Sequence, residues 1–148
     1  MALRKSGYRR HVNGKGRNDH EQYASLSYPF LLSTAWLSLS GAAVRTWLLM
    51  RTRFNGFNNG KITLSLEEAA RTLHVSKATV HTALAELEDR GFVVCMKRGQ
   101  WYGRRASEWA VTDKGVGGNP PTNAWRQWRP AEAKENQNAV PDPNRRVA

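Results

Sequence analysis

The chain has 148 residues, enough for one domain of ordinary size or for a smaller core between long irregular arms. Lysine and arginine number 23 against 12 acids, giving a formal net charge of +11, so composition favours polyanionic partners, nucleic acid first. A single cysteine, Cys95, and four histidines exclude an internal disulfide and offer no zinc-ligand spacing, so a reducing cytoplasm is expected and no metal or cofactor.

Sustained periodicity is confined to the middle of the chain. The expected division is a flexible basic arm over 1–25, a folded domain over 26–112 and an extended tail over 113–148, largely disordered toward its end. The charge is spread: six cations face two acids in the first part, eleven face six in the second and six face four in the third. In the arm, Arg4, Lys5, Arg9, Arg10, Lys15 and Arg17 stand among Gly, Asn and His. That composition serves either a solvated tail or a strap along phosphates or in the minor groove. Pro29 to Leu39 (PFLLSTAWLSL) precedes small residues and has the outline of a signal peptide, but polar residues interrupt it and the sequence runs on into a helix.

From Gly41 the apolar residues Ala43, Trp47, Met50 and Phe54 recur at helical spacing, flanked by Val44 and Leu48, with Ser40 as N-cap. Asn55-Gly56 and Asn59-Gly60 mark a loop. Ile62–Leu64 is a short strand candidate. Ser65-Leu66-Glu67-Glu68 matches a capping box, in which the Ser65 hydroxyl accepts from the Glu68 amide and the Glu68 carboxylate reaches back. The next helix carries Leu66, Ala69, Ala70 and Leu73 on one face. After a break at His74-Val75, Ser76 caps another helix with Val80, Ala83, Leu84 and Leu87 inward, ended by Gly91. Two strands follow, Phe92–Met96 and Ser107–Thr112, joined by KRGQWYGRRA, whose two glycines and four cations predict a basic hairpin tip.

The segment SLEEAARTLHVSKATVHTALAELEDRGFVV, Ser65 to Val94, resembles the helix-turn-helix of winged-helix bacterial regulators of the MarR and GntR types. It is also similar to small helix-turn-helix proteins of phages and plasmids. The implied fold is α+β, a winged helix-turn-helix with a three-helix core and a small antiparallel β wing. The resemblance implies double-stranded DNA as partner, with a homodimer as one arrangement.

The implied groove-facing positions of the recognition helix are Ser76, Lys77, Ala78, Thr79, His81 and Thr82. His81 either donates to a base or phosphate or stands inert on the surface, and His74 serves the turn. Glu86, Glu88 and Asp89 would repel phosphate, so only the first half of the helix is expected to insert, with the acids facing solvent or a partner chain. The wing supplies Lys97, Arg98, Arg104 and Arg105 for phosphates, and Trp101 and Tyr102 either lie against a sugar or pack on the hairpin.

Trp125 and Trp128, in a polar tail, call for a partner: the core, another subunit or a host protein. Gly56-Phe57-Asn58-Asn59-Gly60-Lys61 has the look of a phosphate loop, but it is one residue short and leads into a strand, so it is read as a turn. No nucleophile, general-base or metal constellation is present in the sequence, and no enzyme is expected. Three functions follow: a sequence-specific DNA-binding transcriptional regulator, a replication-initiation or maintenance accessory of a phage or plasmid, and a winged helix used for protein contact.

Overall fold

In the computed structural model, which describes residues 22–100 and 102–131, each long helix begins at a serine. Ser40 Oγ accepts from the Ala43 amide at 3.2 Å, Ser65 Oγ from Glu68 at 3.1 Å and Ser76 Oγ from Thr79 at 3.0 Å, each satisfying an amide that the first helical turn leaves unpaired. These serines start α3 (Gly41–Thr52), α4 (Leu66–Leu73) and α5 (Lys77–Asp89), and two single-turn helices precede them, α1 (Tyr28–Leu31) and α2 (Thr34–Leu37). The strands are β1 (Ile62–Thr63), β2 (Val93–Lys97) and β3 (Glu108–Val111), in an antiparallel sheet of order β1-β3-β2. Ile62 pairs with Trp109, and Val93, Val94 and Cys95 pair with Val111, Ala110 and Trp109. Three helices, with a strand between the first and second and a hairpin after the third, make the expected winged helix-turn-helix.

The inner face of α5 is as expected: Val80, Ala83, Leu84 and Leu87 are all buried. In α3 the buried stripe is Ala43, Thr46, Trp47 and Met50, with Arg51 beside it, while Leu48 is exposed and Phe54 follows the helix end. Thr46 enters this stripe because its hydroxyl donates to the Ala42 carbonyl at 2.8 Å, leaving a methyl for the core. Arg51 enters because its guanidinium lies against the rings of Trp47 and Phe54, at 5.6 and 5.1 Å, and pairs with Asp113 at 3.7 Å.

α1 and α2 exist to deliver Phe30, Ala35 and Trp36 to the core, since four-residue helices have no independent stability. Phe30 stands 4.9 to 5.3 Å from the ring centroids of Trp36, Trp47, Phe92 and Trp125, in the tilted and edge-on geometries that aromatic quadrupoles favour. This settles the placement of the tail tryptophans. Trp125 is only 5% exposed, stacked with Phe92 at an interplanar angle of 4°, so it is a core residue of this chain. Trp128 packs against the same cluster, half-buried, and its indole N–H donates to Asp89 at 3.3 Å. The packed body therefore continues past Thr112 to Trp128, beyond the point where an extended tail was expected.

Gly91 makes that docking possible. Its φ is +77°, and a Cβ there would come within 2.8 Å of the Ala124 carbonyl carbon and 2.9 Å of the Trp125 nitrogen. Gly91→Ala should therefore combine left-handed strain with expulsion of the tail, costing about 2 to 3 kcal/mol. Thermal unfolding followed by tryptophan fluorescence checks it, and a shift in the native emission maximum is expected as Trp125 gains water.

Candidate nucleic-acid interface

The turn between α4 and α5 is built on His74, whose φ of 54° and ψ of 47° place it in the left-handed region, the turn role expected of it. Its Cβ is tolerated there better than a β-branched one would be. The Val75 amide closes the turn on Ala70 O at 3.0 Å, and the Arg45 guanidinium on α3 bonds the Leu73 carbonyl at the end of α4, a cation at a helix C-terminus. Ala69 and Ala70 are buried where α4 crosses α5, because small side chains let the helices approach closely.

Of the residues expected to face the groove, Lys77, Ala78, His81 and Thr82 are exposed on one side of α5. Ser76, also exposed, and the half-buried Thr79 shape the helix start as well: the Ser76 hydroxyl caps the helix and shares a 2.8 Å hydrogen bond with Thr79 Oγ1. Lys77 Nζ sits 3.7 Å from Glu67, with both side chains largely exposed, an ion pair of a fraction of a kcal/mol that a phosphate can displace. Sequence reasoning missed Arg71, Thr72 and Ala85, which are also exposed around the turn and along the α5 face. Their signal was their complementarity to the buried 69, 70, 80, 83, 84 and 87 set.

The acids at the far end of α5 are not a solvent-facing group. The Glu86 side chain is 15% exposed; its carboxylate accepts from the Ser40 amide at 2.8 Å and the Ser40 hydroxyl at 2.6 Å, and pairs with Arg90 at 3.4 Å. It thus couples the end of α5 to the start of α3, where a negative charge suits the helix N-terminus. The Glu88 carboxylate accepts from the Cys95 amide at 3.4 Å, occupying a donor on the free edge of β2 that would otherwise be open for strand pairing. Only Asp89, 70% exposed, meets the expectation of an acid facing water.

A second carboxylate also has an unexpected partner. Glu68 does not close the capping box back to Ser65; it pairs with Arg53, whose Nη1 also donates to the Thr63 carbonyl at 3.0 Å. The interaction ties the end of α3 to β1 and to the start of α4. The Arg53 hydrogen bond, reinforced by the nearby Arg53 and Arg71 charges, holds the Glu68 pKa below its ordinary 4.5. A depressed carboxylate pKa stabilises the fold above pH 4.5 and loses that stabilisation as pH falls through the folded value. With the Glu68 side chain 41% exposed, solvent screening keeps the contribution below about 1 kcal/mol. Glu68→Gln should accordingly lower the melting temperature slightly at pH 7 and by less at pH 3; an equal loss at both would remove the ion pair as the cause.

The wing departs from the sheet at a register irregularity between Cys95 and Lys97 and turns through a Gln100–Arg105 bridge. Gln100 N donates to Arg105 O at 3.1 Å, and Gly99 N to the Ser107 hydroxyl at 2.9 Å. Arg104 occupies the left-handed region with φ 48°. Lys97, Arg98, Arg104 and Arg105 are all exposed. Tyr102 is fully exposed and does not pack on the hairpin, because the two-sided tip offers its ring nothing to cover. Trp101 and the arm residues Arg4, Lys5, Arg9, Arg10, Lys15 and Arg17 lie outside the described residues.

The surface thus unites one open helix face, led by an N-terminus that suits negative charge, with a hairpin bearing four cations. Among the described residues no helix is long and apolar enough to cross a membrane. The model of the IclR helix-turn-helix domain matches residues 57–94, from the loop before β1 into β2. No curated protein and no solved structure matches the chain. The chain carries a DNA-binding winged helix-turn-helix of the kind used in transcription regulation.

Proposed function

We propose that this protein is a sequence-specific regulator of transcription that binds double-stranded DNA, related to winged-helix regulators of the IclR, MarR and GntR kind and acting in the cytoplasm. In this reading Lys77, Ala78, His81 and Thr82 meet base edges in the major groove, while Ser76 and Thr79 fix the helix that presents them. Lys97, Arg98, Arg104 and Arg105 neutralise phosphates, and the exposed Tyr102, with Trp101, lies along the sugars. The arm cations add non-specific affinity, and two copies bind a pseudo-palindromic site. The domains are an arm over 1–25, a DNA-binding body that begins at about residue 26, and the tail from 113, whose first part braces that body.

The observation that carries the reading is the IclR helix-turn-helix match over 57–94, coupled to an α5 face left open beside the turn. The long base-reading donors on that face are few, so phosphate contacts supply most of the affinity. A second reading, a replication or maintenance accessory of a phage or plasmid that recruits partners through its tail, has Trp128 to draw on and not the buried Trp125. Selection of bound duplexes from a random pool at roughly 150 mM salt tests the proposal. Enrichment of a defined site is expected, and a pool that stays random would overturn it.

A further inference from the structure

The docked tail creates a surface that DNA binding does not use. Between α1, α2 and the 3₁₀ turn Ala124–Arg126 lies an open cleft of about 620 Å³, lined among others by Leu32, Ala35, Trp125 and Trp128 on its apolar side and by Arg126 and Arg129 on its rim. Leu32 is 71% exposed, a large apolar side chain left in water beside two indole rings. Both arginines are held in place by contacts other than ion pairs among the described residues. Arg126 lies over the Trp125 ring at 5.1 Å, and Arg129 Nη1 donates to the carbonyls of Arg126 and Trp128 at 2.9 and 2.8 Å. Among the described residues neither meets a carboxylate, whereas Arg90, over Trp128 at 5.1 Å, is already paired with Glu86 and Asp89.

The position of the cleft separates it from the nucleic-acid surface. It adjoins the C-terminal end of α5, where Trp128 bonds Asp89, and the 13 residues of α5 put that end about 20 Å from the recognition turn. It also lies at the end of the sheet away from the wing, because the tail leaves β3 after Val111 and rests on Gly91, before β2 begins. A duplex held by the turn and wing would leave Arg126 and Arg129 free.

We propose that this cleft is a docking site for an acidic, amphipathic segment of a partner protein, apolar side chains entering beside Leu32 and Trp128 and carboxylates meeting Arg126 and Arg129. Charge complementarity selects this occupant: a cleft with apolar side chains beside hydroxyls, whose rim among the described residues carries two cations and no acid, favours carboxylates flanking apolar anchors. The site would let a DNA-bound chain recruit another protein at its distal end.

The test uses the full chain and a fluorescent peptide of about 16 residues with Leu and Phe at helical i, i+3, i+4 and i+7 positions and Glu between them, against controls with Leu and Phe replaced by Ser or Glu by Lys. At roughly 150 mM salt, the acidic amphipathic peptide should bind, survive addition of saturating duplex, and lose at least about tenfold in affinity with Arg126→Glu plus Arg129→Glu or with Leu32→Ser. Duplex affinity should not change in these variants. Binding no tighter than that of the Ser control, or displacement by duplex, would overturn the proposal. So would loss of duplex affinity in the arginine variants, which would give the cleft to DNA, or a dimer that Leu32→Ser dissociates, which would give it to a second copy.

Discussion

Replacing Asn59 with alanine should destabilise the protein by about 3 kcal/mol and lower its melting temperature by roughly 15 °C. Asn59 is buried, and its side-chain amide takes the place of a strand residue ahead of β1, which starts at Ile62. Oδ1 accepts from the Val111 amide at 2.8 Å, while Nδ2 donates to the carbonyls of Val111, Lys114 and Gly115 at 2.9, 2.9 and 3.0 Å. No backbone group replaces these bonds, because β1 ends its pairing with β3 at Ile62 and Trp109. Truncation leaves the buried Val111 N–H and C=O without these partners, and each such group costs on the order of 1 kcal/mol or more, while the part-buried Lys114 and Gly115 carbonyls lose a donor as well.

Aspartate at the same position sharpens the test. Asn59→Asp keeps the acceptor for Val111 but turns a negative oxygen toward three carbonyls, so the folded state favours the protonated acid and raises its pKa. A raised folded pKa means the destabilisation is smallest below the unfolded carboxylate value and grows as pH rises through it. Denaturant unfolding at pH 4 and pH 7 should show the variant closer to wild type at the lower pH. A pH-independent loss equal to that of alanine would mean that the side chain merely fills space.

Much of this fold was legible because its signals are local. Ser40, Ser65 and Ser76 sit where helices must start, and the α5 stripe of Val80, Ala83, Leu84 and Leu87 reads at a spacing of three and four residues. The open face of that helix follows as the complement of its buried one. The wing was legible from Gly99 and Gly103 set among cations. What escaped were contacts between segments far apart in the chain. Phe30 and Trp125 meet across 95 positions, and neither stands in a periodic run that would mark it as core. Glu68 fits a capping box perfectly well, yet a guanidinium from the preceding helix offers its carboxylate a charged partner, which a backbone amide does not match. Glu86 was read by charge alone, and its place at the α3 N-terminus depends on how two helices cross.

In the wing the same position can separate charge from fold. Arg104 stands at φ 48°, where a side chain costs about 1 kcal/mol relative to glycine. Arg104→Gly should therefore leave the melting temperature unchanged or a few degrees higher, since the turn loses strain and an exposed side chain with no core contact. If the wing grips phosphates, duplex affinity should nevertheless fall. Combined with Arg105→Ala, two contacts are lost, so the slope of log affinity against log salt should flatten by about 1.8 and affinity at roughly 150 mM salt should drop about thirtyfold, for every duplex alike. Lys77→Ala and Thr82→Ala should behave differently, narrowing the gap between preferred and random sequences more than they lower random-sequence affinity. Titrations over a range of salt distinguish the two patterns: a wing variant that is stable, keeps its full salt slope and binds as tightly as wild type would remove the hairpin from the DNA surface. Affinity would then have to come from the arm cations and the helix, whose inserted face carries Lys77 as its one cation.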